Sequence, residues 1–301
     1  MILYIFVAVL TVFLGLMVNN HCKIQQNIVS RQQILNRLCL VSVFLLLFGL
    51  AACRLNVGND YAKYVEFMHL INCDAFVPTE AGFNWIVRII YNLSGFENYL
   101  LVFAFFAFFT VLIFMAAIYR QADSFGFSFF LFMAFGYYFQ SFNTVRYYLA
   151  LAIAVAVIPY VLGRQWFKFI LLVLLGATLH KSILVVIPLY FLASLTWKKW
   201  QLGLAAVFCS TFFFMQDFYL KVVVFLYPTY EDTEYLEGGT SIVNIARCLA
   251  VLIFSLIYYK NTVKDKRRNR FYFYCNLGAL VMYVCCSFLP IISRIGYYLT
   301  F

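Results

Sequence analysis

The chain has 301 residues, of which 65% are hydrophobic, 21% are aromatic and only 11% are charged, and its mean hydropathy is +0.89. These proportions exclude a water-soluble globular protein, because too few polar side chains are present to cover its surface. The formal net charge of +10 requires no nucleic-acid partner, because basic residues concentrated in cytoplasmic loops explain it.

A hydrocarbon core of about 30 Å needs about 20 apolar residues per helix, and long runs of Leu, Phe and Val favour helices over a β-barrel. The sequence therefore predicts an all-α polytopic integral membrane protein with about ten transmembrane helices. The first run lacks a basic segment and a cleavage site, so it is predicted to be a helix rather than a signal peptide. The ten runs lie near residues 1–18, 38–53, 98–118, 125–142, 146–162, 165–180, 182–196, 201–216, 242–259 and 271–290.

The distribution of Lys and Arg predicts the orientation of these helices. Most basic residues fall in the odd-numbered loops, whereas the even-numbered loops are acidic overall, so we expect the amino terminus outside and the odd loops in the cytoplasm. The run Lys264–Arg270 is expected to set topology by contacting anionic lipid. The other basic residues of the odd loops are Lys23, Arg31, Arg37, Arg120, Arg164, Lys168, Lys198, Lys199 and Lys260.

The external loop 54–97 follows the second run. Two stretches repeat the i, i+3, i+4, i+7 spacing of an amphipathic helix, and we expect both helices to lie in the membrane interface. Glu80 is predicted to open the second helix, where the helix dipole favours an acid. The apolar residues are Tyr61, Tyr64, Val65 and Met68 in the first stretch and Phe83, Ile86, Ile90 and Leu93 in the second.

Asn143 and Arg146 lie between two apolar runs on the predicted outer face. A spacing of three places them on one helical face, where an amide and a guanidinium can bind one ligand together. The alternative is an arginine that reaches the lipid headgroups from a helix end.

His180 lies in the short turn between the apolar runs 167–179 and 183–195. As helices, these runs are only about 20 Å long at about 1.5 Å per residue, so the turn is predicted to lie below the outer surface. At that depth a polar group is tolerated mainly in a protein cavity or a water-filled cleft. The alternative is a structural histidine bonded to a carbonyl group.

Arg294 returns to the same outer face after the tenth run, and we expect Arg54, Arg146, His180 and Arg294 to converge with Asp60 around one external cleft. Guanidinium groups bind phosphate oxygens in pairs, so a pyrophosphate on a polyprenyl lipid fits such a cleft. Arginines would offset the charge of the leaving group, and His180 or Asp60 would be the base for an acceptor hydroxyl.

No metal or cofactor site is expected on the outer face. The nine cysteines form no CxxC pair and are predicted to be small packing residues. A Gly-rich acidic loop without His or Cys is predicted to be a solvated connection, and its acids are Glu231, Asp232, Glu234 and Glu237.

Short motifs in a fixed order also relate the chain to a known family. They are Arg54-x3-Gly58-x-Asp60-Tyr61-x2-Tyr64, Glu80-x-Gly82-Phe83, Asn143-x2-Arg146-Tyr-x2-Ala150, His180-x-Ser182 followed by Ile187-Pro188, and Arg294 near Tyr297-Tyr298. Through these motifs the chain resembles the EpsG-like membrane proteins of bacterial exopolysaccharide, capsule and O-antigen clusters, which are related in role to Wzy repeat-unit polymerases.

The resemblance implies a metal-independent glycosyltransferase with a GT-C-like helical bundle in the bacterial inner (cytoplasmic) membrane. On the periplasmic or extracellular face, a growing glycan would pass from its undecaprenyl pyrophosphate carrier to an incoming lipid-linked oligosaccharide repeat. A flippase and a chain-length regulator are the implied partners. The resemblance implies catalytic roles for His180, Asp60 and Arg146, and substrate binding by Arg54, Asn143, Arg146, Tyr147 and Arg294.

We expect a single transmembrane domain over residues 1–301. Members of the family usually continue beyond the Arg294 motif, so this chain is either truncated or a shortened member whose incompletely closed cleft would reduce activity.

Other functions stay open. A different lipid-linked glycosyltransferase or ligase would use the same cations. A flippase or transporter should show inverted repeats or broken helices near the midplane, and no internal repeat is found. A membrane O-acyltransferase should carry a cytoplasmic histidine, for which only His21 is available.

Overall fold

The computed structural model describes residues 2–21, 30–226, 241–288 and 292–300. Within these ranges all regular structure is helical and no strand occurs, which confirms the all-helical prediction. Two predicted loop features, Lys23 and the acidic loop with Glu231, Asp232, Glu234 and Glu237, lie outside the described residues. The chain forms two compact units, Met1–Pro159 with Leu171–Ile183, and Tyr160–Ile170 with Leu184–Phe301.

The helices follow the apolar runs of the sequence. The first unit contains α1 (Ile2–Leu16), α2 (Arg31–Ala52), α3 (Tyr61–Asn72), α4 (Ala81–Ser94), α5 (Tyr99–Gln121), α6 (Phe125–Ala134), α7 (Tyr137–Gln140) and α8 (Val145–Ala156). Both units share α9 (Ile158–Leu162) and α10 (Trp166–Ala177), and a 3-10 turn at Lys181–Val185 leads into α11 (Val186–Ser194). The second unit continues with α12 (Lys199–Phe214), α13 (Gln216–Leu226), α14 (Ile242–Ile257), a π-helical turn at Tyr259–Val263, α15 (Arg267–Cys285) and α16 (Ile292–Thr300).

Polar residues at the helix starts explain where several of these elements begin. The Ser30 hydroxyl accepts a hydrogen bond from the Gln33 N–H, while the Gln33 side chain accepts one from the Ser30 N–H. This reciprocal pair satisfies two backbone donors that have no partner within the helix. Asn98 caps α5 by accepting from the Leu101 N–H.

The amphipathic helices predicted in the external loop correspond to α3 and α4. Tyr61, Tyr64 and Met68 are buried, whereas Lys63, Glu66 and His69 are exposed. Their apolar faces pack on Phe103, Phe106, Val145 and Leu149 in one core with residues of α5 and α8. These faces are therefore covered by helices of the same chain, whereas Leu93 lies outside the core and is 82% exposed.

The lengths of the helices limit the number of membrane crossings. Among the described residues, three helical stretches are long and apolar enough to cross a membrane: Arg31–Ala52, Tyr99–Gln121 and Val145–Leu162. The number rises to four if α12 and α13, which meet at 84°, form one broken span. Five of the other predicted crossings correspond to shorter apolar helices. The run 271–290 falls on α15, which is not among the described helices that are apolar enough to cross.

The second unit is built around α15, which contacts α11, α12, α14 and α16. The Tyr190 hydroxyl donates a 2.8 Å hydrogen bond to the carbonyl oxygen of Tyr298. The Asn276 amide donates to the carbonyl oxygen of Cys248 at 2.9 Å. Buried polar groups in this unit thus bond to backbone oxygens, as apolar surroundings require.

The described cysteines occupy three kinds of environment, of which Cys209 and Cys285 represent the half-buried one. Cys39, Cys248, Cys275 and Cys286 are buried, as predicted for packing residues. The prediction is wrong for Cys53 and Cys73, whose positions at the ends of α2 and α3 leave them exposed.

Candidate functional site

The site of greatest chemical interest lies in the first unit, where the N-terminal ends of α4 and α8 meet the turn after α10. Glu80 precedes α4, Arg146 is in the first turn of α8, and His180 follows α10. Their side chains are only 12%, 14% and 20% exposed, respectively. The fold thus places a carboxylate, a guanidinium and an imidazole together in a region from which water is largely excluded.

The Glu80 carboxylate connects the other two side chains. Its Oε2 atom accepts a short hydrogen bond from a terminal nitrogen of Arg146 and so forms an ion pair. Its Oε1 atom accepts from the backbone N–H of Lys181 at 3.1 Å and lies 3.4 Å from His180 Nδ1. Each oxygen therefore has its own partner, and the carboxylate is held in one orientation.

The charge of Glu80 is stabilised by this arrangement. Burial alone would raise its pKa, but the His180 contact, the Arg146 charge and the Lys181 N–H outweigh burial and lower the pKa to about 2. Glu80 is therefore a carboxylate at all physiological pH values. The Nδ1 atom of His180 faces this carboxylate at 3.4 Å but makes no hydrogen bond within the described residues.

Gly82 explains how α4 approaches the His180 turn so closely. The Gly82 N–H donates to the carbonyl oxygen of Thr178 at 2.9 Å. A Cβ atom at position 82 would lie only 2.6 Å from that oxygen. Only glycine permits this contact, which brings Glu80 within reach of His180 and the Lys181 backbone.

Aromatic rings form the surroundings of the charged groups. The Arg146 guanidinium carbon lies 5.2 Å from the ring centre of Phe83 and 5.7 Å from that of Tyr64. The ring of Tyr147 is 5.6 Å from that of His180. These rings attract the cation and limit water, while Arg146 Nε stays buried without a hydrogen-bond partner. Tyr147, predicted to bind substrate, is itself 3% exposed and packs beside the imidazole.

Arg54 is a second cation in the same unit, and it is only 5% exposed. Its guanidinium carbon lies 4.8 Å from the ring centre of Phe103 and 5.0 Å from that of Phe142. Its Nε atom has no hydrogen-bond partner, and the described residues offer the side chain no acidic partner. Burial lowers its pKa from the ordinary value to about 10, which leaves it charged at neutral pH.

The two arginines are connected through aromatic contacts. The Arg146 guanidinium packs against the ring of Tyr64, which lies 6.3 Å from the ring of Phe103. The Arg54 guanidinium packs against the other ring of this pair, that of Phe103. The first unit therefore brings two predicted substrate-binding residues to one aromatic cluster, which we call the Tyr64–Phe103 cluster.

Asn143 stabilises the loop between α2 and α3. Its Oδ1 atom accepts a 3.0 Å hydrogen bond from the Asn59 N–H. Gly58 has a φ of +109° and lies so close to Phe142 that a Cβ atom would be 2.4 Å from the Phe142 oxygen. Asn143 thus has a structural contact, and ligand binding by its amide together with Arg146 stays a prediction.

Asp60 and Arg294 are less closely tied to the site. Asp60 precedes α3, and its carboxylate makes no hydrogen bond or ion pair within the described part of the chain. Arg294 is half-buried on α16 in the second unit. The convergence of these two residues with Arg146 and His180 stays a prediction.

Glu80 is the residue that the sequence interpretation did not assign to the site. Its position before an amphipathic helix suggested a helix start, which is where it lies, but its side chain makes no capping hydrogen bond. The neighbouring Gly82 was the available signal. The described residues include one group of three side chains with metal-ligand atoms close together, His69, Cys73 and Glu97, and none of them belongs to this site.

Comparison with known proteins gives one family match. A family model described as the EpsG family matches residues 37–301. No curated protein matches the chain. No solved structure matches it.

Proposed function

The chain belongs to the EpsG family, and from this membership we propose that it polymerises lipid-linked oligosaccharide repeat units on the outer face of the cytoplasmic membrane. The family is associated with glycan polymerisation in the membrane. The observation that carries the proposal is the Glu80 carboxylate, which joins Arg146 to His180 at a largely buried position.

The proposed reaction transfers a growing glycan from its undecaprenyl pyrophosphate carrier. An acceptor hydroxyl on the incoming repeat attacks the anomeric carbon, a new glycosidic C–O bond forms, and the C–O bond to the pyrophosphate breaks. The hydroxyl proton passes to His180 Nε2, and the electron pair stays on the departing pyrophosphate. Arg146 offsets the developing negative charge with donors that Glu80 does not use.

Glu80 acts as a positioning residue in this proposal. It faces His180 Nδ1 at 3.4 Å, which leaves Nε2 for the acceptor hydroxyl, and it binds one terminal nitrogen of the Arg146 guanidinium. Arg54 supports anion binding, since a buried guanidinium without an acidic partner favours the approach of a phosphate group.

The full proposal includes the finer features that the family resemblance implied. These are about ten membrane crossings in a GT-C-like bundle, an active face directed to the outside of the cytoplasmic membrane, and participation of Arg294 and Asp60. Shorter apolar helices such as α10 and α14 would then cross together with neighbouring segments.

A complementation experiment tests the function. Cells that lack the gene receive the wild type, Arg146→Ala, Arg146→Lys or His180→Gln, and lipid-linked glycans are separated by length. We expect single repeats to accumulate in the null strain and with Arg146→Ala and His180→Gln. Arg146→Lys should restore little polymer, because an ammonium keeps the charge but loses the fork of donors.

Arg88→Ala is the matched control, because Arg88 lies on α4 in the same unit with a 52% exposed side chain. It should support normal chain length at an equal protein level in the membrane. Long chains with altered decoration in the null strain would indicate acyl transfer instead. Absence of external repeats would indicate a flippase. Normal polymer with Arg146→Ala would show that Arg146 does not belong to the active site.

A further inference from the structure

A second cluster of chemically reactive side chains lies at the opposite end of α3 from Asp60. His69 is in the last turn of α3, Cys73 follows the helix, and Glu97 lies in the turn between α4 and α5. One potential ligand atom from each residue lies within 4.8 Å of the others. An imidazole, a thiol and a carboxylate therefore meet at a single exposed point.

Helical spacing at the end of α3 explains why two of the three side chains lie close together. His69 and Cys73 are four residues apart, which places them one above the other on one helical face. The Cys73 N–H bonds to the His69 carbonyl oxygen at 3.0 Å, so the helical geometry extends to Cys73. The Cys73 sulfur lies 3.8 Å from His69 Nε2.

Glu97 completes the cluster from a distant part of the chain. α4 is followed by Gly95, whose φ of +74° turns the backbone toward Glu97. Both Glu97 oxygens lie 3.0 Å from His69 Nδ1. Asn72 donates a 2.8 Å hydrogen bond to Glu97 Oε1 and so orients the carboxylate, as outer-shell groups do around metal ligands.

We propose that His69, Cys73 and Glu97 bind a zinc-class divalent cation, with water in the fourth position. Sulfur, nitrogen and oxygen donors of these three types are those that bind Zn²⁺, and the thiolate and imidazole disfavour Mg²⁺ and Ca²⁺. A tetrahedral ion holds its donors about 3.3–3.8 Å apart at bond lengths of about 2.0–2.3 Å. Glu97 faces His69 Nδ1 and Cys73 faces Nε2, and only one of these nitrogens can bind the ion. Separations of up to 4.8 Å between the three donors must therefore close by about 1 Å, through rotation of the side chains.

The bound ion would link the end of α3 to the turn that precedes α5. α3 carries Tyr64 and α4 follows Glu80, so this link would restrain the two helices that flank the Glu80–Arg146 pair. The inference is independent of the polymerase reaction, because the ion would lie outside that site.

Cobalt(II) titration of the purified full-length protein tests the metal site. The protein is isolated in detergent through an affinity tag that contains no histidine, so that the tag binds no metal. We expect uptake of one equivalent with a thiolate-to-cobalt charge-transfer band, displaced by Zn²⁺. Zn²⁺ should also raise the thermal transition temperature of the wild type.

Variants separate the proposed ligands from other exposed residues. Cys73→Ser should abolish the charge-transfer band, and His69→Ala and Glu97→Gln should each weaken cobalt binding by about tenfold or more. Cys53→Ser and Glu66→Gln are the matched controls, because Cys53 and Glu66 are exposed and lie outside the cluster. They should leave the titration unchanged.

The proposal is overturned if the wild type shows no charge-transfer band, or if Cys73→Ser keeps the band and the stoichiometry. Should Cys73→Ser not fold, His69→Ala decides, since unchanged cobalt affinity in that variant also contradicts the site. An ion pair between His69 and Glu97 alone would give no thiolate signal in any variant.

Discussion

Glu80 shows how one side chain can hold two other charged or polar groups in place. Its two oxygens hold Arg146 on one side and the His180 turn on the other. Because one of these contacts is to the Lys181 backbone, changing the side chain at position 181 would not remove it. The carboxylate at position 80 is therefore the most informative single residue to change.

Glu80→Gln should reduce polymer length in cells and lower the yield of polymer by about tenfold or more, the order expected when an acid–base pair loses its geometry. A neutral amide cannot balance the Arg146 charge or the positive charge that His180 gains when it accepts the hydroxyl proton. Glu80→Asp keeps the charge and should restore part of the polymer. The measurement is gel separation of lipid-linked glycans at equal protein levels.

The control for this change is Glu66→Gln, which removes an exposed acid from α3. It should leave chain length as in the wild type. Equal polymer from Glu80→Gln and the wild type would contradict the positioning role.

The lowered pKa of Glu80 also predicts a dependence of stability on pH. Between the folded value of about 2 and the ordinary value of 4.5, the unfolded chain binds more protons at this group than the folded chain does. The stabilisation is therefore fully present above about pH 5.5 and is lost as the pH falls toward 2. It amounts to at most about 3.5 kcal/mol, since one pKa unit corresponds to about 1.4 kcal/mol.

The thermal transition of the detergent-purified wild type should therefore fall between pH 5.5 and 3 more steeply than that of Glu80→Gln. At neutral pH the variant should unfold at the lower temperature, because Arg146 loses its partner. Parallel curves for the two proteins across this range would show that Glu80 contributes no pH-dependent stability.

At this scale the sequence drew attention to Arg146 and His180 but not to Glu80, which lies between them. Arg146 and His180 were recognisable because a charge or an imidazole next to apolar runs is uncommon in membrane proteins. Glu80 was not, since an acid before an amphipathic helix has an ordinary explanation in the helix dipole. Its pairing with residues 66 and 100 positions away depends on tertiary structure alone.

At the scale of elements, the start of α4 depends on close backbone contact with the turn after α10. The Gly82 N–H and the Thr178 carbonyl oxygen form the bond between them. The helix could not lie this near to the turn with any side chain at position 82.

Gly82→Ala should destabilise the protein by about 1–3 kcal/mol, the usual cost of forcing extra atoms into a packed contact. It should also reduce polymerisation, because α4 would carry Glu80 away from His180. Thermal unfolding in detergent and glycan length in cells measure the two effects.

Gly49→Ala on α2 is the matched control, since a Cβ atom there meets nothing within 4 Å. Alanine favours a helix over glycine by about 1 kcal/mol, so this variant should be as stable as the wild type or slightly more stable. Full activity of Gly82→Ala would contradict the proposed dependence of the site on this contact.

Periodicity predicted α3 and α4 correctly because their apolar residues repeat at helical spacing over several turns. It did not predict what covers them. A lipid interface and a neighbouring helix both favour the same apolar face, and only the contacts with Phe103, Phe106 and Leu149 distinguish them.

At the scale of the whole molecule, the distribution of Lys and Arg over all the loops predicts the orientation of the protein in the membrane. The exposed cysteines offer a direct measurement. Cys53 and Cys73 both lie in or beside the segment predicted to face outside. We expect both to react with a membrane-impermeant maleimide in cells stripped of their outer envelope, with a chelator present to free Cys73 of metal.

Lys266→Cys places a cysteine on the predicted cytoplasmic face, because the run 264–270 is predicted to be cytoplasmic. In a Cys53→Ser, Cys73→Ser background, this variant should react only after the membrane is permeabilised. Reaction of Lys266→Cys in intact cells would reverse the predicted orientation.

The environment of Arg54 has one more consequence. The rings of Phe103 and Phe142 take the place of most of the water around its guanidinium before any ligand binds. An anion that reaches it must shed its own water to make contact, and this is easiest for large, diffuse ions. Simple salts should therefore inhibit in Hofmeister order, with thiocyanate more effective than chloride at equal ionic strength, whereas a surface arginine would respond to ionic strength alone.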